Sequence, residues 1–157
     1  MITLSSGLFA QHFAEWDEWC EKTDLTHVSY KVEEIVVRGF DGVNTPPRLD
    51  QKERQLFYSY GITAYWWYYD QLEFFHLLYL EAVHRDSTGA EIKRFPMNGH
   101  FSEEFKHYFK SEIPAERKKN IFFERIYLKD TDENYLRLEK PQTFCPHCSW
   151  EEEESEE

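Results

Sequence analysis

Apolar residues recur along the chain in two rhythms, and the switches between them mark out the elements. Over residues 7–22, GLFAQHFAEWDEWCEK, the residues Phe9, Phe13, Trp16 and Cys20 fall at steps of four, three and four. That spacing lays one apolar stripe along a helix and predicts a surface helix packed on a core. Glu15, Glu18 and Lys22 lie mainly off the stripe, Ser5 or Ser6 can cap the start, and Thr23-Asp24 supplies a stop.

From His27 to Phe40 the rhythm shortens. Val28, Tyr30 and Val32, then Ile35, Val36 and Val37, predict a strand, bulged near Glu33-Glu34. Asn44 to Pro47 reads as a loop, because its two adjacent prolines have no N–H to give a ladder. Asp50-Gln51-Lys52-Glu53 has the form of a capping box, opening a short helix that closes at Gly61. Residues 62–86, ITAYWWYYDQLEFFHLLYLEAVHRD, fit two readings. As a helix, Tyr68, Leu72, Phe75, Tyr79 and Ala82 share a face. As strands, Phe75, Leu77, Tyr79 and Val83 alternate with His76, Leu78, Leu80 and Ala82. The density of rings favours sheet, and Asp86-Ser87-Thr88-Gly89 is a turn leading to a returning run, Ala90 to Phe95. The second half is therefore read as one arm of a hairpin.

Ser102 caps a further helix with Phe101, Phe105, Tyr108 and Phe109 inward, ending before Pro114. IFFERIYLKD, the polar turn Thr131 to Asn134, and YLRLEKP form a second hairpin, in which turn chemistry and alternation agree. The expected class is α+β: an antiparallel sheet of hairpins with two or three helices packed on one face. The element order lacks the regular alternation that parallel sheets need.

Length and composition add bounds. At 157 residues, one globular domain over 1–150 is expected, and its 18% aromatic content is too ring-rich for disorder. Only the tail 151–157, EEEESEE, fits the disordered description. Three cysteines make an odd set rather than a disulfide framework, and the N-terminus lacks the basic stretch of a secretory signal. Asp70, Gln71, Glu73, His76 and Glu81 interrupt the most apolar region and exclude a spanning helix. A cytoplasmic setting is expected.

The net charge of −12 is unevenly spread. Residues 1–50 carry nine acidic and four basic side chains, residues 51–100 six and five, residues 101–150 nine of each, and the tail six glutamates. The acidity thus sits at the two ends of a neutral body and points to a basic partner reached through those ends.

Four patterns bear on chemistry. Cys145-Pro146-His147-Cys148 resembles the active-site motif of the oxidising thioredoxin-fold oxidoreductases, over four residues only. In that family the motif opens a helix early in the fold, whereas here nine residues follow it. The adjoining glutamates also push a thiol pKa upward, against a reactive thiolate. Zinc is the better use of the motif: Cys145 and Cys148 supply two ligands, and Cys20 with one of His12, His27 or His147 completes the four thiolates and imidazoles that a closed site needs. Asp86 with Glu91-Ile92-Lys93 resembles the carboxylate and lysine arrangement of metal-dependent nucleases, although Asp86 serves equally as a turn residue. The run Tyr65-Trp66-Trp67-Tyr68-Tyr69 suggests base stacking, but no Lys or Arg lies between Arg54 and Arg85, so direct nucleic-acid binding is disfavoured. Those rings read as core, with some left for a protein-binding patch. His76, inside an apolar segment, is expected to be a satisfied, partly buried ring.

What remains is the acidic N-terminal region. Glu15, Asp17, Glu18, Glu21 and Asp24 on the first helix, with Glu33 and Glu34 beyond it, can imitate the phosphate spacing of a nucleic acid, with Trp19 as an apolar anchor. The expected function is a non-enzymatic acidic inhibitor or adaptor that docks on a basic, nucleic-acid-binding protein such as a nuclease. In style it resembles phage antagonists of restriction or CRISPR nucleases and nuclease-immunity proteins. The alternative is a zinc-stabilised module or metal-dependent enzyme built on the CPHC segment.

Overall fold

The computed structural model describes residues 2–39, 62–98, 101–112 and 120–143, excluding the side chains of 2–11, 38, 39 and 110. Helix α1 spans Ile2–Lys22. It runs straight through Ser5 and Ser6, so neither is its cap. Serine costs only tenths of a kcal/mol inside a helix, so the helix is not obliged to begin there. It ends where expected. Thr23 turns its amide onto the Cys20 carbonyl, and Asp24 then caps a 3-10 turn, Leu25–His27, by accepting from the Thr26 amide at 3.0 Å.

The strand expected from His27 is mostly not a strand. A second 3-10 turn covers Val32–Glu34, and only Val36–Gly39, strand β1, joins the sheet. The cause is the spacing of its buried residues. Tyr30 and Ile35 both enter the core, five positions apart, which strict alternation cannot achieve. Tyr30 also reaches across the molecule, donating to the Asp130 carboxylate at 2.7 Å. The loop and short helix expected between Asn44 and Gly61 lie outside the described residues.

Residues 62–85 form two strands, β2 (Ile62–Tyr68) and β3 (Gln71–Arg85), joined by a two-residue turn at Tyr69-Asp70. Next come β4 (Glu91–Met97), helix α2 (Glu103–Ser111), β5 (Ile121–Lys129), β6 (Tyr135–Leu138) and β7 (Gln142–Thr143). Ser102 caps α2 as expected, its Oγ accepting from the Phe105 amide. The fold is α+β, and every pairing in its seven-stranded sheet is antiparallel.

Long β3 organises the sheet. Along one edge it pairs first with β2 and then with β4; along the other it pairs with β5, which carries β6 and β7 in turn. Register slips between Leu77 and Tyr79 and again between Tyr79 and Glu81, with Arg125 of β5 at φ 52°. These bulges reset the alternation. Phe75 and Leu77 face one side, and so do Leu80 and Ala82 three residues further on, while Tyr79 points to the other.

Each face receives a helix. α2 lays Phe105, Tyr108 and Phe109 over Phe95 and the main core, where Ile121, Phe123, Ile126 and Leu128 of β5 are fully buried. α1 packs Phe13 and Trp16 against Tyr79 and Tyr127 on the opposite side. The helices are therefore divided between faces instead of sharing one. The bulges make this possible, because they turn the two tyrosines outward and so create a second apolar surface. Finally the sheet curls until its ends meet: the Gln142 side chain accepts from the Val37 amide at 3.1 Å and donates to the Ile35 carbonyl at 3.0 Å.

Candidate protein-docking surface

The apolar stripe of α1 decides which of its acids are free. Phe13 stacks on Tyr127 at 5.6 Å and meets Tyr79 edge-on at 4.9 Å, with Trp16 beside them and Cys20 half-buried further along. Asp17 flanks this stripe and is consumed by it. Its Oδ1 accepts from the Tyr127 hydroxyl at 2.8 Å and pairs with Arg137 at 2.6 Å. Trp19 lies on the ring of Tyr135 at 4.6 Å and is half-buried. Both residues hold α1 on the sheet, so Trp19 is no protruding anchor.

The other acids of the expected surface are exposed: Glu15, Glu18, Glu21, Asp24, Glu33 and Glu34. Glu18 pairs with Lys22 at 2.9 Å and Glu34 with Lys31 at 3.7 Å, both between well-exposed side chains, where water weakens the attraction. Glu15, Glu21 and Glu33 make no ion pair among the described residues. Asp24 is held below its ordinary pKa, first by the Thr26 hydroxyl and then by the Thr26 amide, and so stays charged.

A shallow groove of about 130 Å³ lies between the end of α1 and β6. Cys20, Leu25, Val32 and Leu136 give it an apolar lining, and Glu21 and Glu139 stand at its rim. Arg137 also lines it, but that guanidinium already serves Asp17 and Glu139, which raise its pKa. Leu25 is half exposed. Leu25 is thus an exposed apolar residue of this face, missed in the sequence because one leucine beside a turn carries no periodicity.

Cys20 borders the same groove. Burial pushes its thiol up to about 11; Arg137 opposes this, while Asp17, Glu139 and Glu21 add to it. Cys145, His147 and Cys148 lie outside the described residues. His12 is exposed and stacks on Trp16 at 5.3 Å, and His27 is exposed beside Asp24. Among the described residues, no three His, Cys, Asp or Glu side chains are grouped to hold a metal ion.

The nuclease-like triplet is occupied with structural work. Asp86 accepts from the Thr88 amide, the Thr88 hydroxyl and the Ala90 amide, which close the β3–β4 turn. Glu91 is bound by Arg94, and Lys93 lies over the rings of Phe95 and Tyr108. His76 is exposed, contrary to expectation, because it falls on the outward side of β3. Among the described residues the buried histidine is His84, whose Nδ1 is 2.7 Å from the Tyr108 hydroxyl. Among the five rings of 65–69, Tyr65 and Trp66 are buried, Trp67 is half-buried, and Tyr68 and Tyr69 are exposed.

One polar cluster had no sequence signal. Glu81, nearly buried, takes bonds from Arg94 and the Tyr79 hydroxyl, while Arg85 clasps Glu124 with two parallel N–H groups at 2.9 Å. In the sequence these are ordinary charges on hairpins. Compared with known protein families, curated proteins and solved structures, the chain finds no match.

Proposed function

We propose that this protein is a non-enzymatic acidic interaction protein, an inhibitor or adaptor that docks on a basic, nucleic-acid-binding protein surface such as that of a nuclease. One observation carries the reading: α1, whose Glu15, Glu18 and Glu21 are exposed, ends at an apolar groove lined by Glu21, Glu139 and half-exposed Leu25. Charge there steers the approach, and a small desolvated centre then slows dissociation. A purely solvating acidic face needs no apolar centre.

The docking residues are Glu15, Glu18, Glu21, Asp24, Glu33 and Glu34, with Leu25 in the anchoring role. Asp17 contributes by fixing α1. The tail adds six negative charges, which pull on a cationic partner over roughly one Debye length, about 8 Å at physiological salt. Pull-down from a lysate at two salt concentrations tests the reading. A basic partner retained at low salt and lost at high salt is expected, and recovery of none at low salt contradicts it. Deleting 151–157 should slow capture without abolishing it.

A further inference from the structure

The tip of the β2–β3 hairpin departs from what a turn of its length prefers. Tyr68 lies opposite Gln71, leaving Tyr69-Asp70 as a two-residue loop. A positive φ at the first loop position normally calls for glycine. Tyr69 holds φ 55° there, with 81% of its surface exposed. Its ring meets only the edge of Tyr68, at 4.4 Å, among the described residues. Tyr68, itself 44% exposed, stacks on Trp66 at 5.2 Å with the planes 5° apart. Trp67 donates its indole N–H to the Tyr69 carbonyl and so fixes the turn. A ladder of rings thus climbs from the core to solvent and ends on a residue whose backbone is strained.

Along the hairpin itself the charges have one sign up to Arg85. Asp70 is exposed, and no Lys or Arg occurs between Arg54 and Arg85. Glu73 accepts from the Ser29 hydroxyl at 2.8 Å, while its Oε2 and the Nε1 of its cross-strand neighbour Trp66 are buried without a hydrogen-bond partner among the described residues. The Ser29 bond also ties β3, three residues from the tip, to the segment leaving α1. Ring faces next to carboxylates suit a planar cation: a guanidinium lies flat on an aromatic ring while its N–H fork reaches a carboxylate. A second copy of this chain would bring like charge to the same place.

We propose that Tyr68, Tyr69 and Asp70 form the aromatic hot spot of the docking surface, occupied by an arginine side chain of the basic partner. This rests on the partner being basic, as proposed above. The test titrates a hexa-arginine peptide, and a hexa-lysine peptide beside it, into the full chain while backbone amide resonances are followed. Hexa-arginine should move the resonances of residues 68–70, and hexa-lysine should move them less. Tyr69→Gly should raise the melting temperature by a few degrees, because glycine relieves the positive φ, yet weaken hexa-arginine binding by roughly three- to fivefold. Asp70→Asn, which keeps the ring, should weaken it by a smaller factor.

The triple variant Glu15→Lys, Glu18→Lys and Glu21→Lys separates the two proposals. Resonances at the tip that still move in that variant support the hot spot even if α1 proves irrelevant. Unchanged binding by Tyr69→Gly, with α1 resonances responding, overturns the hot spot and leaves the basic-partner reading standing. Tip signals that shift with protein concentration alone assign the rings to self-association and also overturn it.

Discussion

Asp130 shows how one side chain can organise several segments. It sits at the β5–β6 turn, 7% exposed, and accepts from the Asp132 and Asn134 amides, the Asn134 side chain and the Tyr30 hydroxyl. Burial alone would raise its pKa; the four donors together outweigh burial and hold the carboxyl below its ordinary value. A depressed folded pKa contributes stability above the unfolded value, and that contribution is lost as pH falls through the folded one. Asp130→Ala should therefore cost about 2 kcal/mol and Tyr30→Phe about 1 kcal/mol in urea unfolding. Asp130→Ala should also flatten the acid limb of stability below about pH 4. An acid limb as steep as the parent's contradicts this. A second test concerns Cys20, whose raised pKa leaves little thiolate at pH 8. Peptide-level mass spectrometry should find it alkylated much more slowly by iodoacetamide than an ordinary exposed cysteine. At this scale the sequence was legible for caps and turns, such as Ser102 and Asp86, whose partners are a few residues away. It was silent on Asp17, Trp19 and Tyr30, whose partners lie about a hundred positions along the chain.

Hairpins were the legible elements, because turn residues and alternation are both local. The β3–β4 and β5–β6 hairpins follow the expected turns, and α1 ends where Thr23-Asp24 suggested. Three features escaped. The β2–β3 turn has Tyr-Asp where glycine or asparagine would announce a loop, so a single ambiguous run concealed two strands. The bulges of β3 and β5 shift an alternation that sequence alone reads as unbroken. The segment Leu25–Ile35 has strand-forming residues, yet it crosses the molecule in two 3-10 turns to bury Tyr30 and Ile35. The closure of the sheet adds an element-scale prediction. Gln142→Ala removes both side-chain bonds that join β7 to the edge of β1. It should cost about 1–2 kcal/mol and speed hydrogen exchange at the Val37 amide more than at β3 and β5 amides. Equal acceleration throughout would mean that the contact is not a separate latch.

For the whole molecule, the α+β class could be read from the order of rhythms, but the division of helices between faces could not, because it depends on the bulges. The placement of acids on the proposed docking face was half legible. Composition located the charge on α1, while the structure withdraws Asp17 and Trp19 into the packing of α1 on β5 and β6 and brings Leu25 forward. No helix among the described residues is long and apolar enough to cross a membrane. The account's central claim is that exposed carboxylates on α1 select where a basic partner lands. Reversing Glu15, Glu18 and Glu21 to lysine leaves the apolar stripe untouched, so the variant should fold like the parent. Capture of the basic partner by parent and triple variant, side by side at low salt, is the most direct measurement. The account predicts that the parent retains the partner and the variant loses it. Equal retention by both would contradict it.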